Sequence, residues 1–212
     1  MNKKWLILII VILILMVFNV KNPFPFGFHY YKHQHIFSPK QPIENVELLT
    51  LKKNFEVNIE NSNIRIDELF VKDTLNNILS LSDVFKNGND KILVCRFSES
   101  HCESCVTYSI WSILNQIDAT GKDNVVFLGK HRNNRIFNQE KTHYNIQDMS
   151  VYNSATLNLP VEALSFPYYF ILGSDMTISN VFVPDKATPV ITNDYLRMIN
   201  KRYFSKKGVS VK

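Results

Sequence analysis

KILVCRFSESHCESCVTYSIWSILNQI, residues 91–117, is the stretch whose reading decides the fold. Its first seven residues form a branched, apolar run that follows the turn signal KNGND, the pattern of a central strand buried on both faces. The period then changes. Val106, Ile110, Ile113, Leu114 and Ile117 fall at i, i+4, i+7, i+8 and i+11, one face of a 3.6-residue helix. Ser100 and Glu103 match the S-x-x-E capping pattern and predict the start of that helix. Cys102 and Cys105 therefore sit at a strand-to-helix junction, on the helix's first turn.

Downstream, NVVFLG at 124–129 reads as a second buried strand and residues 134–143 as a helix. The rest of 130–160 carries no clear period and reads as loops. FPYYFIL at 166–172 and TISNVFV at 177–183 pair across the turn GSDM. A polar cap at 192–194 predicts a closing helix, with Tyr195, Leu196, Ile199 and Tyr203 on one face. Upstream, ILSLSDVF at 78–85 alternates like a strand, and VELLTL and FEVNIE flank KKN as an N-terminal β-hairpin would. Strand, helix, strand, helix, hairpin, helix is the order of an α/β domain, a mixed sheet flanked by helices, over residues 44–212.

The N-terminus is of another kind. Lys3 and Lys4 precede an unbroken apolar run from Trp5 to Phe18, and thirteen Leu, Ile, Val and Phe lie between positions 5 and 20. On a membrane-insertion scale they contribute on the order of −4 to −8 kcal/mol. No small-x-small cleavage pattern follows. Instead Phe24, Phe26, Phe28, Tyr30 and Tyr31 crowd the exit, as amphipathic rings do at a headgroup boundary. The expectation is a cytoplasmic N-terminus at 1–4, a single transmembrane helix and uncleaved signal anchor at 5–20, and a proline-rich linker at 21–43. The domain would then face the extracytoplasmic, periplasmic side of the inner membrane, where disulfides persist. The net charge of +5 is scattered, without the aromatics that accompany basic patches in nucleic-acid readers, so no nucleic-acid partner is expected.

Three cysteines have to be placed. Cys95 lies inside the apolar strand and reads as a small buried hydrophobe. Cys102 and Cys105 meet unpaired N–H groups and the positive end of the helix macrodipole, which favour a thiolate. Within one turn Cys105 can reach back and close a disulfide. A purely structural bridge is a weak reading, since a loop of about four residues removes only about 2 kcal/mol of unfolded-state entropy. Metal binding is the rival chemistry: His101, Cys102 and Cys105 offer three ligands suited to copper(I) or zinc. A non-catalytic docking domain is a third possibility.

The strand, the CxxC at a helix start, the amphipathic helix and the late proline-led hairpin FPYYFILGSDMTISNVFV together resemble the thioredoxin-like family. The nearest likeness is to its membrane-anchored TlpA/ResA-type (redoxin) thiol–disulfide oxidoreductases. That resemblance spans about Leu79 to Phe204. It implies that Cys102 is the exposed nucleophile, Cys105 the resolving cysteine, and Pro167 a cis-proline that leaves the Phe166 backbone free to pair with an extended substrate. It implies protein thiol and disulfide substrates, a redox partner protein that resets the pair, and no cofactor. His101 stands where thioredoxins carry tryptophan, Glu103-Ser104 lacks the usual proline, and Arg96 replaces a buried acid, leaving Glu99, Glu103 or Glu162 to substitute. The P-x-x-x-T/S-x-x-C pattern of peroxiredoxins is absent, because its first two positions hold Cys95 and Glu99.

Overall fold

Strand β3, Lys91–Ser98, is the centre of the molecule, and its sequence explains why. Alternate residues leave it on opposite sides: Ile92 and Val94 join one apolar cluster, while Leu93, Cys95 and Phe97 join another. Both faces are covered, so the strand reads as a continuous apolar run rather than an alternating one. The computed structural model describes residues 43–67, 69–85 and 89–205. The expected membrane anchor at 5–20 lies outside them, and no described helix is long and apolar enough to cross a membrane.

Among the described residues the strands form one seven-stranded sheet in the order β2-β1-β5-β4-β3-β6-β7. Its members are β1 (Phe70–Lys72), β2 (Ile78–Ser80), β3, β4 (Val125–Lys130), β5 (Ser150–Ser154), β6 (Tyr168–Gly173) and β7 (Ile178–Phe182). β3, β4 and β5 run parallel, and β6 returns antiparallel beside β3 with Arg96 opposite Tyr168. From β3 onward the expected order of strands and helices is present with one strand more, β5. One face carries α2 (Glu103–Leu114), α3 (Asn134–His143) and α4 (Pro189–Ile199), packed over Phe127, Tyr169 and Ile171. α4 starts before the expected cap at 192–194, because Pro189 lacks the N–H that a first helical residue leaves unpaired anyway.

Three sequence expectations are corrected. Residues 46–60 form no hairpin: they belong to a 19-residue helix, α1, Ile43–Asn61. Its buried positions Thr50, Asn54, Val57 and Asn61 fall at i, i+4, i+7 and i+11, a helical period written mostly in polar residues. The hairpin of this fold lies later, as β1 and β2. Only Ile78–Ser80 of the alternating 78–85 segment is strand, after which Leu81–Val84 turn into a 3-10 helix capped by Ser80 and Asp83. Finally, the stretch read as loops contains β5, whose Val151, Tyr152 and Asn153 pair with Phe127, Leu128 and Gly129.

The asparagines of α1 have a definite task. β7 ends the sheet, and an uncovered edge exposes unpaired backbone groups. Asn54 Oδ1 accepts from Val183 N at 2.7 Å and its Nδ2 donates to Val183 O at 3.2 Å. Asn58 Oδ1 accepts from Val181 N at 2.9 Å, and Asn61 Oδ1 from Val161 N at 3.0 Å. A register shift in the β6–β7 pairing, next to Asn180 with φ 53°, leaves Val181 facing the helix. Asn54→Ala should therefore strip partners from two buried backbone groups and cost about 2 kcal/mol. Urea unfolding should show a lower midpoint at an unchanged slope.

Candidate active site

The residue beneath the cysteine segment is Arg96, with its side chain 1% exposed. It leaves β3 on the face opposite α2, among Tyr168 and Leu128, where an unpaired charge would be costly. Its donors are accounted for. Nε and Nη2 each lie 3.2 Å from Glu162 Oε1. Nη1 donates to Ser154 Oγ at 2.7 Å and to Gly129 O at 3.1 Å, and Nη2 to Ala155 O at 2.7 Å. Glu162 sits in the 3-10 helix Pro160–Leu164. Its other oxygen, Oε2, accepts from the Thr156 hydroxyl and from the backbone amides of Leu157 and Asn158. Burial alone would raise the Glu162 carboxyl; the Thr156 hydrogen bond and the Arg96 charge outweigh it and hold the group below its ordinary value. Of the three acids offered by sequence, Glu162 is the one joined to Arg96.

The chain then leaves β3 through Ser98–His101 and delivers the cysteines. α2 begins at Glu103 with Cys102 as its N-cap residue, and the Cys105 and Val106 amides donate to Cys102 O at 2.9 and 3.0 Å. The expected Ser100–Glu103 capping box does not form, because Ser100 lies two residues too early. Its hydroxyl is 3.0 Å from that of Ser98, and Glu103 Oε1 lies 3.3 Å from His143 Nε2 instead. All three cysteines are free thiols. Cys95 is buried in the core, as read from sequence, and burial pushes its thiol far up.

The CxxC pair is asymmetric. Cys102 is exposed and Cys105 half-buried. The Cys102 thiol is lowered to about 7, first by the Cys105 thiol as hydrogen-bond partner, next by the Ser104 hydroxyl at 3.3 Å, and further by the Cys105 amide and the Lys186 charge. Cys105 moves the other way, raised by burial and then by the neighbouring Cys102. His101 is lowered to about 4, first by burial and then by Arg96, so its imidazole is neutral at pH 7. It therefore lends Cys102 no positive charge. That task falls to Lys186, Nζ 2.7 Å from Ser104 Oγ, which sequence reading gave no role and for which no local signal existed 82 residues away.

Phe166 and Pro167 precede Tyr168, the partner of Arg96, so they lie at the end of the sheet where β3 releases the cysteine segment. The Phe166–Pro167 peptide is trans, since no described peptide bond is cis. The expected cis-proline is corrected accordingly: the trans form is the intrinsically preferred one by about 0.5–1 kcal/mol. Phe166 is 39% exposed, with Lys53 Nζ 4.8 Å from its ring centroid. Among the described residues no group of three or more His, Cys, Asp or Glu side chains is arranged to hold a metal ion. His101 is drawn inward beside Arg96, whereas Cys102 faces out.

A parallel strand–helix–strand core with an antiparallel hairpin beside it and helices on both faces is the thioredoxin-like fold. Two solved structures bear this out. The chain superposes on a thiol:disulfide interchange protein from Bacteroides sp. with a TM-score of 0.52, over 69% of this chain and 93% of that one, at 12% identity. It superposes on a proposed electron transfer protein from Aquifex aeolicus VF5 with a TM-score of 0.50, over 66% and 91%, at 14% identity. No protein-family model and no curated protein matches the sequence.

Two outcomes follow from the electrostatics. Glu162→Gln leaves the Arg96 charge without its partner and should cost about 3 kcal/mol at neutral pH. Because the folded carboxyl titrates lower than the unfolded one, its contribution is complete above the unfolded value and is lost as pH falls through the folded one. The penalty measured by denaturation should therefore shrink on acidification. The His101 ring resonances should stay flat between about pH 6 and 8, where an ordinary histidine shifts by NMR.

Proposed function

We propose that the chain is a thiol–disulfide oxidoreductase, with Cys102 as attacking thiol and Cys105 as resolving thiol. The observation that carries this reading is the asymmetry of the pair: an exposed cysteine at a helix N-cap, hydrogen-bonded by its neighbours, next to a half-buried one a turn further in. The Cys102 thiolate attacks one sulfur of a substrate disulfide, forming a mixed disulfide and expelling the other substrate sulfur as a thiolate. Cys105 then loses its proton and attacks Cys102 Sγ. The second substrate thiol leaves, and a Cys102–Cys105 disulfide remains. Two electrons have passed from the pair to the substrate, and the reverse sequence oxidises a substrate dithiol.

Cys102 sits on the surface rather than in a cavity, so the reading takes protein disulfides and dithiols as substrates and a separate redox protein to reset the pair. The N-terminal sequence supports a tether to the inner membrane through residues 5–20, with residues 21–43 as linker and the domain from residue 44 on the extracytoplasmic side. Trapping tests the chemistry directly. Cys105→Ser should accumulate a mixed disulfide with a disulfide-bonded reporter protein, released by dithiothreitol, while Cys102→Ser should give none. Equal trapping by both variants, or by neither, would sink the assignment.

A further inference from the structure

Lys186 reaches the cysteine segment from the loop between β7 and α4, on the far side of the antiparallel hairpin in sequence. Its ammonium has only donors, so in the 2.7 Å contact Ser104 Oγ must accept. The same hydroxyl lies 3.3 Å from Cys102 Sγ. A thiolate has lone pairs and no proton, so once Cys102 ionises the hydroxyl hydrogen of Ser104 is the one that can close that contact. The three groups then form a single chain of donation from ammonium to hydroxyl to sulfur, in which the Lys186 charge polarises the bond made to the thiolate.

The loop holding Lys186 is tied down independently. Asp185 Oδ1 accepts from the Ala187 amide at 2.8 Å, the Asp185 amide lies 3.4 Å from Thr192 Oγ1, and Thr188 N donates to Asp185 O at 3.1 Å. The other titratable groups around the pair are each accounted for. Glu103 lies against His143 from α3, His101 sits beside Arg96 and under the influence of Lys130, and Cys105 itself borders Cys102. Tyr108 and Trp111 of α2 complete the wall beside Lys186.

We propose that Lys186 is a positioning residue for Cys102, acting through Ser104, and that it biases the cysteine pair toward its reduced form. The inference rests on Cys102 being the attacking thiol of the proposed exchange. The thiolate exists only in the reduced pair. The Cys102–Cys105 disulfide presents no negative charge for Ser104 and Lys186 to hold. Stabilising the thiolate thus stabilises the reduced state and makes the pair a stronger oxidant. In that direction a substrate dithiol gives two electrons to the Cys102–Cys105 disulfide and becomes a disulfide itself. Cys105 ends protonated, Cys102 remains a thiolate, and the remaining proton passes to water.

The test uses the full-length chain and the variants K186M, K186R, S104A and S104A/K186M. Iodoacetamide labelling of Cys102, followed by mass spectrometry across pH, reads the thiolate; the Cys102–Cys105 disulfide fraction in glutathione buffers reads the redox equilibrium. K186M should slow labelling of Cys102 near pH 6.5 by roughly three- to tenfold, through an upward shift of its titration. At about pH 8.5, where the wild-type thiol is ionised, it should move the glutathione equilibrium toward the disulfide by a similar factor. K186R should recover most of both. S104A should reproduce the loss, and K186M added to S104A should change little more. Labelling of K186M within twofold of wild type overturns the proposal, as does a K186M effect undiminished on the S104A background. Failure of the underlying reading looks different: a wild-type pair that forms no Cys102–Cys105 disulfide in any glutathione buffer removes the exchange function, while the labelling profiles still decide whether Lys186 acts on Cys102.

Discussion

A guanidinium inside a β-sheet is the constraint around which the rest of this domain is arranged. Arg96 follows Ile92 and Val94 on the same side of the central strand, and taking its charge out of water costs several kcal/mol unless every donor is met. The partners come from three segments: the Gly129 carbonyl of β4, the Ser154 hydroxyl of β5 with the Ala155 carbonyl just beyond it, and the Glu162 carboxylate of the following 3-10 helix. These lie at the C-terminal ends of the parallel strands, the end of an α/β sheet where sites are ordinarily built. The ion pair thereby locks the relative positions of the segments from which the cysteine loop departs. Replacement by apolar residues of similar volume can leave such a site as stable or more so, so the pair speaks for a defined arrangement more than for raw stability.

Charge is handled differently a few residues on. Cys102 and Cys105 share a helix turn and nonetheless shift in opposite directions, because one faces solvent and donors while the other is part-buried beside an incipient thiolate. His101, drawn toward Arg96, stays neutral and adds neither cation nor proton at pH 7. The thiolate thus depends on hydrogen bonds from its own helix turn and on one lysine from a distant loop. This division separates a buried, fully paired network underneath from a lightly held, solvent-facing thiol above.

The edge of the sheet shows a third use of polar groups. α1 turns Asn54, Asn58 and Asn61 inward to meet backbone groups of Val183, Val181 and Val161, while Leu48, Leu51, Phe55 and Ile59 face outward. Through Asn58 and Asn54 the helix supplies the edge strand and its continuation with partners that another strand would supply, while Asn61 ties it to the 3-10 helix Pro160–Leu164. A hydrophobicity pattern is blind to this arrangement, since the usual sidedness of a surface helix is reversed.

Much of the architecture was legible because the core strands and α2 obey the simple periods of strand and helix: KILVCRFS, VVFLGK, YYFILG and the Val106–Ile113 face needed no tertiary information. The position of the cysteines at the head of α2 followed from the same change of period. Where burial is polar, the sequence was silent or misleading. α1 read as a hairpin because its inward face is asparagine, and β5 read as loop because SVYNS lacks an apolar run. Arg96 was conspicuous as a charge in a core strand, yet its partner stands 66 residues away and was one of three acids on offer. Lys186 carried no mark at all. Periodicity is a local property and determined which segments are strands and helices and where the thiols lie. Which polar group answers which depends on chain segments meeting in space, and only the tertiary structure decided that.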